Sequence, residues 1–437
     1  MAMTDSVDRF LDFVLSAPTA FHATENICDA LRDNGFIQLN ERESWQIEPG
    51  KCYFVTRNRS SVIAFKVPEN GFAHFQIVAS HSDSPVFKLK PATVESAAGK
   101  YTRLNVEPYG GMLMSTWFDR PLSIAGRVII REENALKTQL VDLCRDAAMV
   151  PNMPIHFNRE ANNGYKYNPQ VDLLPVYGDA AAKDQLMKEI AELCDTTEDS
   201  IAACDLFLYP RGPVSVWGND DCYFSSPRID DLECAWTSVE AFIKEDAKDH
   251  ITVCAVFDNE EVGSSTKQGA ASTFLNDVLT RTGYALGATE PEIRAAMVTS
   301  FMVSADNAHA VHPNHPEKYD QDNRVFMNEG VVIKHNANQK YTTDGVSDAV
   351  FSAVCKKAGV PVQHFANRSD TPGGGTLGNI ANTQVSMNTV DIGLAQLAMH
   401  SACETAGSKD VDYMINALRA FYATDIAVTD DGSIELK

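Results

Sequence analysis

Apolar and small residues fill Ile251–Phe257 (ITVCAVF) without a charge, and their β-branched share predicts a strand buried on both faces. The pattern then turns acidic at Asp258, Glu260 and Glu261 before a Gly263-Ser264-Ser265 turn. Upstream, Val7, Phe10, Leu11 and Val14 follow helical spacing, Pro18 interrupts it, and Thr24–Leu31 resumes it, so residues 5–34 predict two amphipathic helices. Cys52–Thr56 and Ser61–Phe65 read as strands around the polar turn Arg57–Ser60, and Ala73–Ser80 as a third strand that ends in His81-Ser82-Asp83-Ser84-Pro85.

From Pro91 to about Pro227 the pattern changes to short β-like runs (Ala125–Ile130, Val171–Val176, Leu206–Tyr209) between Gly, Pro and Asn turns such as Tyr109-Gly110-Gly111 and Pro210–Pro213, with one firm helix over Ala181–Cys194. Alternating strands and helices then return. Helices are predicted at Leu232–Glu245, Ala270–Thr282, Pro291–Ala296 and Asp348–Ala358, and strands at Met297–Ser304, Gly330–Lys334 and Thr383–Thr389. Arg368–Gly378 is a Gly-rich loop, and a last helix is expected after Gly393 through His400. The expected architecture is an α/β domain, residues 1–90 and 228–437, interrupted by a mostly β domain over 91–227.

At 437 residues the chain is long enough for two domains, and 44% hydrophobic with 22% charged residues is ordinary for a water-soluble globular protein. The start, MAMTDSVDRFLDFVL, has no basic region followed by an apolar run, and no apolar stretch reaches the length of a membrane span, so a cytoplasmic protein is expected. Ten scattered cysteines without a CxxC pair suggest reduced thiols. A net charge of -22 argues against nucleic acid or an anionic membrane as partner. An acidic ligand would have to be attracted locally, by individual basic residues.

Candidate chemistry gathers at the predicted strand ends and nearby loops: His81, Asp83, Asp230, Glu260, Glu261, Asp306 and His400. Two imidazoles and several carboxylates, with no thiolate, suit one or two divalent ions such as zinc, cobalt or manganese. His81 and Asp83 project from one face of an extended backbone, so the carboxylate can orient the imidazole. A capping role is the plain alternative for Asp230 and Asp231. His309, His312 and His315 are spaced by three, but Pro313 and Pro316 would break a helical metal face. There is no GxSxG elbow for a serine nucleophile, and Gly373–Gly375 lacks the Gly-Lys-Ser/Thr ending of a phosphate loop.

Seven blocks, HSDSP, SPRIDDL, DNEEVGS, SADNAHAVHPN, VVIKHNANQKY, RSDTPGGGTLG and DIGLAQLAMHS, occur in an order that resembles the aspartyl aminopeptidase family of di-zinc exopeptidases across essentially the whole chain. The resemblance implies a central mixed, mostly parallel sheet flanked by helices and interrupted by a mostly β dimerisation domain, assembled as a tetrahedral dodecamer. It implies two divalent ions per subunit, most simply Zn2+, with Co2+ or Mn2+ as alternatives. His81 and Asp306 would bind one ion, Glu261 and His400 the other, and Asp230 both. Asp83 would orient His81, and Glu260 would be the general base toward a metal-bridging water. Lys334 matches a lysine associated with an acidic substrate side chain, and His156 one that reaches a neighbouring subunit's site. The implied substrate is a peptide with a free N-terminal Asp or Glu. Two departures stand out: Asp231 replaces a common Asn and is expected to hydrogen-bond or cap and not to ligate, and Pro372–Thr376 lacks the Cys and Ser often found among those glycines. The same metal core could serve a hydrolase of N-acyl amino acids or carboxy-terminal residues, and the metals could also be purely structural in an assembly protein.

Overall fold

The computed structural model describes residues 4–71, 73–212, 214–246 and 249–437. Its centre is a nine-stranded sheet in the spatial order Ile37–Leu39, Cys52–Arg57, Ser61–Lys66, Ile251–Phe257, Phe75–His81, Phe301–Ala305, Asn388–Gly393, Val331–His335, Val362–Ala366. Five of the eight strand pairings are parallel and three antiparallel, as the mixed, mostly parallel reading expects. Ile251–Phe257 is buried along its whole length because both faces are covered. Cys254 and Val256 pack on one side with the helices Ala20–Asp33, Ile229–Lys244, Gly345–Ala358 and Ser408–Ala423. Val253, Ala255 and Phe257 pack on the other with Phe274–Ala285 and Glu290–Val298.

A second, six-stranded antiparallel sheet uses residues 86–210, in the order Ala135–Asp142, Leu122–Glu132, Ile201–Pro210, Val86–Ala97, Tyr101–Tyr109, Val176–Asp179. It has its own core, in which Phe87 meets Trp117 edge to face at 5.1 Å. A third sheet joins Ser215–Trp217 and Tyr223–Ser226 to Glu404–Gly407, Ala395–Leu397 and Ala308–His309, and so ties the end of the inserted stretch to loops of the main domain. All ten cysteines are free thiols. No helix among the described residues is long and apolar enough to cross a membrane.

Several local expectations are corrected. The segment before His400 is not a helix: Ala395–Leu397 is a strand, and His400 lies in the following turn with positive φ. The apolar spacing that suggested a helix is satisfied instead by pairing with Ala308–His309 and Glu404–Gly407. Pro169–Asp172 forms one helical turn where a strand was expected, with Pro169 at its start and Asn168 Oδ1 accepting from Gln170 N at 3.0 Å. The strand expected at Thr383–Thr389 is Asn388–Gly393, and the one expected at Met297–Ser304 is Phe301–Ala305, the helix before it running on to Val298. In the N-terminal stretch Met1–Met3, and in the expected turn at 210–213 Pro213, lie outside the described residues.

Candidate metal centre

Parallel strands deliver most of the centre from their C-terminal ends, where open α/β sheets gather functional groups. Register places His81, the last residue of its strand, opposite Phe257, so Glu260 and Glu261 follow three and four residues later in a short 3-10 turn. Asp306 immediately follows Phe301–Ala305. Asp230 lies at the start of the helix Ile229–Lys244, where Asp230 and Asp231 have non-helical backbone angles and both residues are buried.

The two oxygens of Asp230 face different neighbours. Oδ1 lies 3.5 Å from His81 Nε2, and Oδ2 lies 3.3 Å from His400 Nε2. His400 Nε2 is also 3.3 Å from Glu261 Oε1. Two groups of ligand-type atoms therefore share Asp230: His81, Asp230, Asp231 and Asp306 on one side, and Asp230, Glu261 and His400 on the other. In each imidazole the second nitrogen is held by the chain. His81 Nδ1 meets the Asp83 carbonyl at 3.1 Å, and His400 Nδ1 meets the Gly111 carbonyl at 2.8 Å. Both contacts call for a proton on Nδ1, leaving the Nε2 lone pair facing the carboxylates, which is the usual preparation of a histidine ligand.

His81 Nε2, Asp230 Oδ1, Asp231 Oδ1 and Glu261 Oε1 are buried without hydrogen-bond partners. Buried polar atoms left unpaired within the two groups that share Asp230 are costly unless a cation sits among them. The electrostatics agree. Burial, together with neighbouring carboxylates, raises Glu260 to about 8, Glu261 to about 7 and Asp306 to about 6. Burial opposes the charge of Asp230 too, but the His400 and His81 imidazoles hold its carboxyl well below the usual range. Burial alone would lower His400, yet Asp230 and Glu261 push it up to about 12. A divalent cation relieves both the carboxylate repulsion and the imidazole protonation. The donor set, two His and several carboxylates without thiolate, fits zinc.

Asp83 plays a broader part than expected from its spacing. Its Oδ1 lies 3.4 Å from His81 Nδ1, but the carboxylate also accepts from Glu260 N at 3.0 Å, Glu261 N at 3.1 Å and the Tyr109 hydroxyl at 2.7 Å. Glu260 is half-buried, and the charges of His81 and Asp306 bear on its carboxyl. Asp231 accepts from His81 N at 3.0 Å through Oδ2, which lies 3.9 Å from His81 Nε2, while its Oδ1 is buried without a partner. Lys334 is buried and donates to the Asp306 carbonyl at 2.7 Å, its ammonium 3.8 Å from Asp306 Oδ1. His156 sits on the exposed stretch 151–163 of the inserted sheet's connections, outside both ligand groups. His309 and His315 are exposed and His312 is half-buried, and none of the three belongs to either group.

Sequence reasoning missed Glu404. It is buried, and it accepts from Asp230 N at 3.0 Å and from His400 N at 2.6 Å, thereby holding by their backbones the residue common to both groups and one residue of the second. The available signal was an acidic residue among small ones in Ala402-Cys403-Glu404-Thr405-Ala406, four residues after His400. Tyr109 was missed as well, its turn position hiding that its hydroxyl bridges Asp83 and Asn259.

The family model described as aminopeptidase I zinc metalloprotease (M18) matches residues 13–422. The chain is 44% identical over 422 residues to a probable M18 family aminopeptidase 2 of Clostridium acetobutylicum, covering 95% of this chain and 98% of that one. It is 38% identical over 447 residues to aspartyl aminopeptidase 1 of Schizosaccharomyces pombe, covering 94% and 93%. Among solved structures, a dodecamer of mApe1 from S. cerevisiae superposes with a TM-score of 0.85 at 28% identity, covering 96% of each chain.

Proposed function

The chain belongs to the M18 family of zinc metalloaminopeptidases, and from that premise we propose that it removes Asp or Glu from the free N-terminus of peptides, with Glu260 as general base. The observation that carries this reading is the divided carboxylate of Asp230, one oxygen toward His81 and the other toward His400. His81 and Asp306 would hold one ion, Glu261 and His400 the second, and Asp230 both. When bound, the ions would supply Lewis acidity toward the scissile carbonyl and a water acidic enough to act near neutral pH.

The chain's own groups do the rest. Glu260 takes a proton from the attacking water on its carboxylate and delivers it to the leaving amine. Asp83 fixes the base by accepting the backbone N–H groups of Glu260 and Glu261. Gly111 and the Asp83 carbonyl keep the imidazoles in the ligating tautomer. Lys334 supplies the positive charge that an acidic side chain needs against a net charge of -22. Its ammonium is already beside Asp306, so the substrate carboxylate would approach next to the metal centre. The name of the S. pombe relative supports the acidic preference. The assembly we propose is a homo-oligomer built through the inserted domain, a dodecamer like that of the S. cerevisiae structure, with His156 completing a neighbouring subunit's site.

Hydrolysis of Asp-, Glu-, Leu- and Lys-p-nitroanilide tests the specificity. The acidic substrates should be cleaved with the highest kcat/KM, and replacing Lys334 by Met should lower that preference by ~10-fold or more, the range of a charge-assisted contact. A wild-type preference for Leu or Lys would eliminate the acidic-residue reading.

A further inference from the structure

A second group of buried ligand-type atoms lies at the opposite end of the same central strands. His74 immediately precedes Phe75–His81, and His250 immediately precedes Ile251–Phe257. These strands are parallel partners with Phe75 opposite Ile251, so the two imidazoles lie side by side, stacked at 5.5 Å with 17° between their planes. The Asp230 centre gathers at the other ends of the strands, roughly 20 Å away at about 3.3 Å per residue. Asp425 joins from the connection between Ser408–Ala423 and Ile426–Asp430.

Asp425 Oδ1 is 3.2 Å from His74 Nε2 and 3.8 Å from His250 Nδ1, and the three atoms lie within 4.8 Å of one another. All three are buried without a hydrogen-bond partner, and His74 and His250 are only 4% and 2% exposed. His250 Nε2 meets the Tyr422 carbonyl at 3.1 Å, which requires the proton there and turns the Nδ1 lone pair toward Asp425. An acceptor thus faces an acceptor. Burial keeps both imidazoles below the ordinary histidine value, His250 at about 4. The frame is held independently: Gln76 donates to the Phe421 carbonyl at 2.8 Å and accepts from Ile426 N at 2.8 Å, which fixes the chain on both sides of Asp425.

Two imidazole nitrogens and one carboxylate oxygen suit a zinc-class cation, whose ~2.0–2.1 Å bonds in a tetrahedron set ligand atoms about 3.3 Å apart. A cleft bounded by Pro49, Pro68, Ala73, Leu286 and Ala427 has His74 in its wall, so solvent comes up to one side of the group. We propose that His74, His250 and Asp425 form a further divalent-cation site, separate from the Asp230 centre, that pins the C-terminal segment to the N-terminal ends of the central strands.

Protein stripped with a chelator, reloaded with Zn2+ and freed of excess should hold one zinc per chain more than His250→Gln or Asp425→Asn treated in the same way. That difference does not depend on how many ions the Asp230 centre takes, so it fails or succeeds apart from the peptidase reading. A buried imidazole can be needed for folding, so a second measurement uses the unaltered chain: zinc-edge anomalous scattering from zinc-loaded crystals. A peak within bonding distance of His74 Nε2, His250 Nδ1 and Asp425 Oδ1 is expected. Equal zinc content in wild type and folded variants, or no peak among those three atoms, would overturn the site.

Discussion

At the scale of single residues, the candidate centre is positioned by groups outside both sets of ligand-type atoms. Glu404 holds the backbones of Asp230 and His400 at once, and Asp83 holds those of Glu260 and Glu261. Each buried N–H left without its acceptor costs about 1–3 kcal/mol. Glu404→Ala should therefore lower thermal stability and weaken zinc binding by ~10–100-fold, the usual effect of removing a partner that orients a ligand. Competition with a chromogenic chelator measures the affinity; an unchanged value would mean that Asp230 and His400 keep their places without Glu404. The candidate ligands were picked out in the sequence because His and acidic residues stand out after apolar runs, and the structure brings His81, Asp230, Asp306, Glu261 and His400 into the two groups that share Asp230. Glu404 and Tyr109 were not, because their importance lies in hydrogen bonds to backbone atoms over 170 residues away (Asp230) and to side chains 26 and 150 residues away (Asp83 and Asn259).

At the scale of elements, the strands Phe75–His81, Ile251–Phe257 and Phe301–Ala305 set the spacing of the site through register. These buried strands were legible as continuous apolar runs. The turn carrying His400 was not: Ala395–Leu397 has a helix-like apolar spacing, and only its distant partners Ala308–His309 and Glu404–Gly407 make it a strand. The close approach of Gly393 to the Asp306 segment shows how tightly the elements fix one candidate ligand. A Cβ at Gly393 would overlap the Asp306 carbonyl oxygen, and Asp306 N donates to the Ile392 carbonyl at 3.0 Å. Gly393→Ala should displace Asp306, cost about 1–3 kcal/mol as overpacking does, and reduce zinc content. Wild-type melting temperature and zinc content in that variant would show that the two strands can separate at no cost.

At the scale of the molecule, an inserted antiparallel sheet reaches the main domain through Gly111, whose carbonyl steadies His400, and through Tyr109 at Asp83. The change of pattern after Pro91 pointed to a separate run of strands, but the contribution of that sheet to the centre was hidden, since it is made by one strand end and the turn after it. Assembly belongs to this scale too. Twelve chains of 47.9 kDa would give about 575 kDa by light scattering, and His156→Ala should lower kcat in the assembled enzyme without altering its mass. A monomeric mass with full activity would remove His156 from the mechanism. The central claim is that Asp230 is shared by two ions while Glu260 moves the proton, and zinc content measured together with kcat in two variants tests it most directly. Glu260→Gln should keep the wild-type zinc of the centre and lose ~100-fold or more of kcat, whereas Asp230→Ala should lose zinc and activity together. Near-normal turnover in the first variant, or full zinc occupancy in the second, would contradict the account.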